Sequence, residues 1–434
     1  MALSSCDNLT RRQAVCGIAA AGISGALTLA GCNSASSDAT ADDNPPSSGR
    51  EANDSPDDNG EKAADTGGGS EPTSDATPTQ TTAEKLLASM TLEQKVAQLF
   101  FVRPEGLTGV DVATVAGSLT KEGLAKIPVG GIVYFGKNIT GNQQLRDLLA
   151  GTVELSRGAG AGIPVFTGVD EEGGTVVARV ANSGYFDVEK FSDMATIGAS
   201  GDPTQAAYVG TSIGSYLHDI GFSVDFAPDA DVLTNPDNKV IGVRSFGSDP
   251  NVVSQMVAAE VAAMLQTATL PCAKHFPGHG DTEGDSHTGE AISNRTADQL
   301  ESCEYLPFSA AIEAGCPFVM VGHIKTPNAA ADDLPATLSE YMIGEVLRGK
   351  LSFEGVVISD AMEMGAISQN YSQTDAAVKF LQAGGDMILM PDDLANTFAG
   401  VVAAVQAGTI SEERINESVA RIIAAKQVAG LVEA

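Results

Sequence analysis

The sequence predicts an α/β fold, a single (β/α)8 barrel over residues 83–434 preceded by a disordered tether. Three observations support this prediction. Eight short apolar runs recur along the chain, longer segments with helical periodicity separate them, and polar residues directly follow several of the runs. Strands and helices that alternate in this number over about 350 residues fit a closed parallel barrel better than an open sheet.

The first 31 residues predict a signal peptide. Arg11 and Arg12 precede an uncharged run rich in Ala, Gly, Ile and Leu, which is too short for a stable membrane span. The run ends in Leu-Ala-Gly directly before Cys32. This pattern resembles the bacterial lipobox, and the paired arginines resemble a folded-export signal. We therefore expect Cys32 to be lipidated and the protein to be extracytoplasmic, anchored to the cell membrane by its lipid.

Residues 32–82 predict a disordered acidic linker that begins at the lipidated cysteine. Between residues 33 and 82 there is no Val, Ile, Leu, Met, Phe, Tyr or Trp, and eleven acidic residues face only two basic ones. Such a segment cannot bury enough apolar surface to offset the entropy lost on ordering.

The formal net charge of the whole chain is −31, which repels nucleic acid and excludes a nucleic-acid-binding protein.

The barrel strands are predicted from their near-continuous apolar runs, which are typical of parallel strands buried on both faces. Helices are predicted from apolar residues at helical spacing, as at Ile415, Val419 and Ile422. The predicted strands span 96–102, 131–135, 164–169, 223–227, 272–276, 318–322, 355–359 and 387–390, and the clearest helices span 143–157, 203–220, 250–267, 340–350 and 411–426.

Cysteines and histidines are distributed unevenly over the predicted barrel. Cys272, Cys303 and Cys316 are an odd set, so at least one is expected to be a free, buried thiol. Five histidines occur in the chain; His218 falls in a predicted helix, whereas the others lie at or just beyond strand ends. Those four are His275, His279, His287 and His323. Because barrel enzymes carry their chemistry at the carboxyl ends of the strands, this clustering predicts an active site.

The segment 274–287 is the most specific motif in the chain. Its sequence, Lys-His-Phe-Pro-Gly-His-Gly-Asp-Thr-Glu-Gly-Asp-Ser-His, resembles residue for residue the signature of the β-N-acetylhexosaminidases of glycoside hydrolase family 3. The resemblance continues at Asp170-Glu171-Glu172-Gly173-Gly174, at Asn235-Pro236, at 241–246 and at 358–362. Two departures are visible: Glu171 stands where many members have Gln, and the spacing from Asp170 to Arg179 is one residue longer than expected.

The resemblance implies a nucleophile and an unusual proton donor. It assigns the nucleophile to Asp360, at the end of a predicted strand, and the acid/base to His287 held by Asp285. This fits the chemistry, because a retaining hydrolase needs a carboxylate at the anomeric carbon and a proton donor on the leaving oxygen. An Asp two residues from a His on a Gly-rich loop can orient the ring and raise its basicity.

The resemblance also implies a set of substrate ligands. Lys274, His275 and Arg244 are expected to donate to sugar hydroxyls, and Asp170 is expected to accept from them. Arg179 and His323 are further predicted substrate ligands. No cofactor is implied.

A metal site is the competing use of the same loop, since His275, His279, Asp281, Asp285 and His287 carry imidazole and carboxylate groups. Two features argue against it. Pro277 and glycines interrupt the segment, so that it cannot form a helix carrying a ligand pair, and Lys274 beside them repels a cation. A Schiff-base role for Lys274, as in a barrel aldolase, leaves the Asp285 and His287 pair unexplained.

The sequence thus predicts a lipid-anchored, exo-acting, retaining β-N-acetylglucosaminidase, with β-N-acetylglucosaminides from peptidoglycan fragments as the expected carbohydrate substrate. Two alternatives stay open within enzymes: a β-glucosidase or β-xylosidase of the same family, or a phosphorylase, because a histidine acid/base has no negative charge to repel phosphate. Outside enzymes the alternative is a sugar-binding lipoprotein of a transporter, for which neither Asp360 nor His287 is needed.

Overall fold

Eight parallel strands form the centre of the protein, whose computed structural model describes residues 82–433. The predicted signal peptide, Cys32 and all of the predicted linker except Thr82 lie outside the described residues. The strands are β1 (Phe100–Val102), β2 (Gly131–Val133), β3 (Phe166–Val169), β4 (Val224–Asp225), β5 (Leu270–Phe276), β6 (Phe318–Val321), β7 (Val356–Ser359) and β8 (Ile388–Leu389). Every predicted strand therefore corresponds to an observed one.

The strands close into a barrel. Neighbours pair in the order β7-β6-β5-β4-β3-β2-β1-β8, all parallel. The two ends of this order meet through a parallel bridge between Ile358 and Met387, and the Ser359 amide donates to the Met387 carbonyl at 2.9 Å. The predicted (β/α)8 barrel is confirmed.

Helices surround the barrel. They are α1 (Thr82–Ser89), α2 (Leu92–Gln98), α3 (Pro104–Thr108), α4 (Ser118–Lys126), α5 (Asn142–Arg157), α6 (Met194–Ala199), α7 (Pro203–Ile220), α8 (Pro250–Leu265), α9 (Ala297–Ser302), α10 (Tyr305–Glu313), α11 (Gly365–Ser368), α12 (Gln373–Gln382), α13 (Leu394–Gln406) and α14 (Glu412–Val428), and Tyr341–Lys350 forms a π-helix. None of the helices within residues 82–433 combines the length and the apolar character needed to cross a membrane.

Local signals explain where the helices begin and end. Asp202 accepts from the Thr204 amide at 3.0 Å, Pro203 occupies the first turn, and Gly221 ends α7 with a φ of 115°.

The predicted strand 96–102 is half wrong, because α2 occupies its first part. Thr91 and Gln94 form a capping box that starts this helix, and an apolar run alone does not distinguish a short buried helix from a strand.

Aromatic rings fill the barrel interior. Phe101 and Phe226 meet edge to face with centroids 5.2 Å apart. A β-carbon on Gly168 would lie 2.7 Å from the Phe101 ring, so glycine is needed there to admit the ring. Cys272 and Cys316 are buried free thiols, which confirms that prediction.

Short strands beyond the barrel shape its carboxyl end. Glu171–Gly173 pairs antiparallel with Val177–Ala178 directly after β3, and Ala291–Ile292 pairs parallel with Ile324–Lys325. These additions rise from the same end of the barrel as the polar residues that follow the strands. The first pair contributes Glu172 and Val177 to the wall of the cavity described next.

Candidate active site

A cavity of about 720 Å³ opens at the carboxyl end of the barrel. Its lining brings together residues that follow β3, β5 and β7, as expected for a site of this fold. Eight of the nine residues predicted as catalytic or substrate-binding line it: Asp170, Arg179, Arg244, Lys274, His275, Asp285, His287 and Asp360. The ninth, His323, does not.

An irregularity in β5 aims two consecutive side chains at the cavity. Ala273 pairs with Val319 and Phe276 pairs with Val321, so that β5 contains one more residue than β6 over this stretch. Successive residues of a regular strand point to opposite faces, but an extra residue re-aims them. Lys274 and His275 both line the cavity as a result.

Lys274 lies between two carboxylates. Its Nζ is 2.8 Å from Asp170 Oδ1 and 2.6 Å from Glu172 Oε1. Burial opposes the charge, but both carboxylates favour it and hold the pKa of Lys274 above its ordinary value. Two of the three ammonium donors are thus used, which leaves one for a ligand.

Arg244 and Glu172 form a bidentate ion pair beside Lys274. Arg244 Nε donates to Glu172 Oε2 at 2.8 Å, and Arg244 Nη2 donates to Glu172 Oε1 at 2.7 Å. Burial acts against ionisation of Glu172, yet Arg244 and Lys274 together keep its pKa well below the ordinary value. Because the pair is buried and planar, it fixes Arg244 in one orientation at the cavity wall.

His275 is held by a buried aspartate. Its Nδ1 donates to Asp231 Oδ2 at 2.7 Å. Burial, followed by the neighbouring Arg244, lowers the pKa of His275 to about 4. A neutral ring with the proton on Nδ1 presents Nε2 as an acceptor, and Arg244 Nη2 lies 3.5 Å from it. This arrangement favours an acceptor role for His275, whereas the sequence predicts a donor.

Asp360 is the first residue after β7 and carries an ionised carboxylate. The Ala361 amide donates to Asp360 Oδ1 at 2.8 Å. Burial works to raise the pKa of Asp360, but the imidazoles of His323 and His275 and the Ala361 amide outweigh it, so the pKa is below the ordinary value.

Asp285 and His287 form a bonded pair on the loop that follows β5. The amide and the Nδ1 of His287 both donate to Asp285 Oδ1, at 2.9 and 2.8 Å. Burial acts to raise the pKa of Asp285, but these two hydrogen bonds and the imidazole of His287 together outweigh it, so the pKa lies below the ordinary value. The side chains are 41% and 64% exposed, which leaves His287 Nε2 accessible to a ligand and to solvent.

Comparisons with known proteins agree with this geometry. Residues 91–425 match the model of the glycosyl hydrolase family 3 N terminal domain. The chain belongs to glycosyl hydrolase family 3. Among its relatives, the beta-hexosaminidase A of Pseudoalteromonas piscicida is 32% identical over 344 residues, which are 74% of this chain and 56% of that protein. A beta-hexosaminidase of Stenotrophomonas maltophilia is 36% identical over 267 residues, covering 60% of this chain and 76% of the relative.

Solved family 3 structures are similar as well. The glycoside hydrolase family 3 beta-N-acetylglucosaminidase from Paenibacillus sp. str. FPU-7 superposes with a TM-score of 0.73 at 34% sequence identity. The match covers 79% of this chain and 63% of the Paenibacillus chain. This protein therefore spans less than two thirds of the length of either relative, 56% of the Pseudoalteromonas protein and 63% of the Paenibacillus chain.

His323 differs from its predicted role in this family 3 site. The residue is buried, its Nδ1 lies 2.8 Å from Thr337 Oγ1, and its Nε2 donates to the Ala361 carbonyl at 3.0 Å. Both ring nitrogens are thus used within the protein. The predicted substrate ligand is corrected to a side chain that holds the backbone directly after Asp360.

Arg179 reaches the cavity despite its shifted spacing. Its guanidinium lies over the Phe135 ring at 5.8 Å from the centroid. Within residues 82–433, its Nε is buried without a hydrogen-bond partner, which leaves a donor in the cavity wall.

The unusual Glu171 points elsewhere: it accepts from the amides of Val180 and Ala181 at 2.7 and 2.8 Å and from the Tyr216 hydroxyl at 2.7 Å. Glu171 therefore fixes the turn next to Arg179.

Sequence reasoning missed two buried acidic residues that build the site, Glu172 and Asp231. Asp229 and Asp231 lie four and six residues after the end of β4, so the rule that placed the other residues at strand ends could have found both. Glu172 lies within a recognised motif, but its role depends on Lys274 and Arg244, which are distant in the sequence.

One group of side chains in residues 82–433 has the spacing to hold a metal ion, and it is not the set that the sequence suggests. Ligand atoms of Asp229, Asp231 and His275 lie within 4.8 Å of one another. Arg244 Nη2 is 3.7 Å from Asp229 Oδ2, and this fixed positive charge opposes a cation. His275 Nδ1 is already occupied by Asp231.

Proposed function

We propose that this protein is an exo-acting, retaining β-N-acetylglucosaminidase, with Asp360 as nucleophile and His287 as acid/base. The observation that carries the proposal is that Asp360 and the bonded Asp285–His287 pair line one cavity with Lys274 and Asp170. A carboxylate, a proton donor and a set of polar groups for hydroxyls are what cleavage of a glycosidic bond needs. The names of the hexosaminidase and N-acetylglucosaminidase relatives support the same activity.

The first step forms a covalent intermediate. An Asp360 carboxylate oxygen attacks the anomeric carbon while the bond from that carbon to the leaving oxygen breaks. His287 transfers its Nε2 proton to the leaving oxygen. The low pKa of Asp360 keeps it ionised and able to attack.

The second step returns the enzyme to its starting state. Neutral His287 removes a proton from water, the resulting oxygen attacks the anomeric carbon, and the bond to Asp360 breaks. Two inversions give a product of the same anomeric configuration as the substrate. Asp285, bonded to Nδ1 at 2.8 Å, stabilises the protonated ring and keeps Nε2 as the exchanging nitrogen.

Four polar side chains would orient the terminal sugar. The Lys274 ammonium and the Arg244 guanidinium are fixed by Glu172, so they act as preorganised donors. Asp170 is 20% exposed at the cavity and offers acceptor oxygens, and His275 offers Nε2 as an acceptor nitrogen. Because these groups are already held by contacts within the protein, binding requires little rearrangement.

We further propose peptidoglycan fragments as the natural substrate and Cys32 as a lipid anchor. Arg179 and Lys239 place two positive side chains on the cavity, although the chain has a net charge of −31. Positive charge on the cavity lining favours an aglycone that carries carboxylates, and peptidoglycan fragments do. A lipid anchor followed by the acidic stretch 33–82 would keep the barrel near the wall.

A second candidate substrate is a β-glucoside. It is favoured by a relative from Cellulomonas fimi named beta-N-acetylglucosaminidase/beta-glucosidase, which is 30% identical over 80% of this chain. A panel of nitrophenyl N-acetylglucosaminide, glucoside and xyloside separates the candidates, and proton NMR of the first-formed sugar reports its anomer. We expect preference for the N-acetylglucosaminide and release of the β anomer. Initial release of the α anomer contradicts retention, and no turnover of any of the three substrates contradicts the proposed activity.

A further inference from the structure

Ser286 anchors the loop that carries Asp285 and His287. Its side chain is buried, with 1% of the residue exposed, whereas the side chains of Asp285 and His287 on either side are 41% and 64% exposed. The pair is thus presented to the cavity from a single buried residue between them. The position of the pair therefore depends on what holds Ser286.

The buried ring of His279 contacts the hydroxyl group of Ser286. His279 Nε2 lies 3.2 Å from Ser286 Oγ, and its Nδ1 lies 2.7 Å from Thr282 Oγ1. The histidine backbone is fixed too: its amide donates to Asp231 Oδ1 at 2.6 Å, and its carbonyl accepts from Asn238 Nδ2 at 2.7 Å. His279 is itself 2% exposed, so the ring cannot reach a substrate.

The chemistry of these contacts suits a neutral ring. Burial lowers the pKa of His279, and His275 adds to the effect. A neutral imidazole has one donor and one acceptor nitrogen, and each nitrogen of His279 faces a hydroxyl, which can take either role. The contacts with Ser286 and Thr282 are therefore satisfied without a buried charge.

A second attachment joins the loop to the turn after Asp360. The Gly365 amide donates to the His287 carbonyl, and the Ala366 amide donates to the Ser286 carbonyl, both at 3.1 Å. A β-carbon on Gly365 would lie 2.9 Å from the His287 carbonyl oxygen, so the approach is as close as glycine allows. The loop is held between His279 and the segment that follows the proposed nucleophile.

We infer that His279 is a positioning residue, which acts through Ser286 to hold His287 where it can protonate the leaving oxygen. The inference rests on the proposed acid/base role of His287. General acid catalysis requires the donor within hydrogen-bond reach of the leaving oxygen, and a displacement of about 1 Å at such a site costs about 100-fold in rate. His279 has no contact with the substrate, so its loss changes proton transfer rather than binding.

Two matched substitutions of His279 test the contact. Asn places its amide near the Nδ1 position and keeps the contact with Thr282 only, whereas Gln places its amide near Nε2 and keeps the contact with Ser286. We expect H279N to lower kcat/KM for poor leaving groups by about 10- to 100-fold. With dinitrophenyl glycosides, glycosylation is expected to stay within about threefold of the native enzyme. H279Q is expected to retain most activity on both.

Substitution of Ser286 gives an independent test. We expect S286A to match H279N, S286T to keep activity because it keeps the hydroxyl, and the double variant to lose no more than either single one. T269V is the stability control: it removes a buried bond to the Gly214 carbonyl, 2.8 Å long, at the amino end of β5. This control is expected to lower thermal stability without any dependence on the leaving group.

The outcomes separate this inference from the proposed function. If H287A shows strong leaving-group dependence but H279N and S286A do not, His279 is not a positioning residue and the acid/base assignment stands. If H279Q loses as much as H279N, the contact with Ser286 is not the one that matters. If H287A itself shows equal losses for all leaving groups, the proposed acid/base role is wrong.

Discussion

His287 donates its Nδ1 proton to Asp285 Oδ1 across 2.8 Å, on a loop that leaves 64% of the histidine side chain exposed. The bond fixes the ring with Nε2 free, and the exposure lets that nitrogen exchange protons with substrate and water. A histidine in this place carries no negative charge when it is deprotonated. The cavity therefore combines one anionic catalytic group, Asp360, with a neutral base.

Replacing Asp285 by Asn keeps an acceptor for Nδ1 but removes the negative charge that faces the ring. We expect kcat/KM for poor leaving groups to fall by about tenfold, because the protonated ring loses stabilisation. Asp285→Ala, which also removes the acceptor, should lose more. Steady-state kinetics on a series of aryl leaving groups measures both. An Asn variant as damaged as the Ala variant means that the hydrogen bond contributes nothing beyond the charge.

Replacing Asp360 by Ala removes the proposed nucleophile. Turnover should fall by at least about 10⁴-fold with activated and natural leaving groups alike, because no covalent intermediate forms. A fluorosugar inactivator should label the native protein on the peptide containing residues 358–362, identified by mass spectrometry, and should not label the variant. A label on another peptide, or an intact burst of aryl release in the variant, moves the nucleophile elsewhere.

We expect the buried carboxyl group of Glu260 to make the stability of the folded protein depend on pH. Both of its carboxylate oxygens are buried without a hydrogen-bond partner among the described residues, and burial, with Glu172 and Asp229 nearby, raises its pKa to about 8. Between its ordinary value of 4.5 and about 8 the folded protein keeps a proton that the unfolded chain loses. Stability therefore falls as the pH rises through this window.

Glu260→Gln removes that titration. The variant should be more stable than the native protein by about 1–3 kcal/mol above pH 8 and should gain little near pH 4.5. Urea unfolding at several pH values measures the difference. Glu122→Gln, on the exposed surface of α4, is the matched control and should change stability little at any pH. A Glu260→Gln difference that does not vary with pH contradicts a retained proton.

Cys32→Ser tests the proposed lipid anchor. The variant expressed in its natural host should appear in the soluble fraction, because a thioether-linked lipid needs the thiol. Cys16→Ser, within the predicted signal peptide, should remain with the membranes and serves as the control. Membrane fractions washed with high salt distinguish a lipid anchor from ionic attachment. If Cys32→Ser stays bound after the wash, the lipobox interpretation is wrong.

Much of the barrel is predictable because each buried strand leaves an apolar run bounded by polar residues. Val356–Ser359, followed by Asp360, shows both signals. The first strand is predicted too long because Val96 and Ala97, which belong to α2, continue the apolar run into Phe100. Only the capping pattern at Thr91 distinguishes the two elements, and the periodicity over so short a segment does not.

The sequence predicts which residues lie in the site better than it predicts the contacts that those residues make. Residues at strand ends must meet at one edge of a barrel, so their positions in the sequence are enough to place Lys274 and Asp360 together. The role of His323 is not predictable in this way, because it depends on Thr337 and on the Ala361 carbonyl, which the fold brings to opposite sides of the ring. The acceptor role of His275 likewise follows from burial and from Asp231, and neither is visible in a motif.

The central claim is that His287 protonates the leaving oxygen, and the leaving-group dependence of His287→Ala tests it most directly. We expect kcat/KM to fall by roughly 10²- to 10⁴-fold for poor leaving groups, with glycosylation largely spared for dinitrophenyl N-acetylglucosaminide, which needs little protonation. Hydrolysis of the intermediate should then limit turnover, and azide, which attacks without a general base, should restore it and yield a β-glycosyl azide. Equal losses for all leaving groups, with no rescue by azide, would contradict the assignment and direct the search for the acid to Glu283.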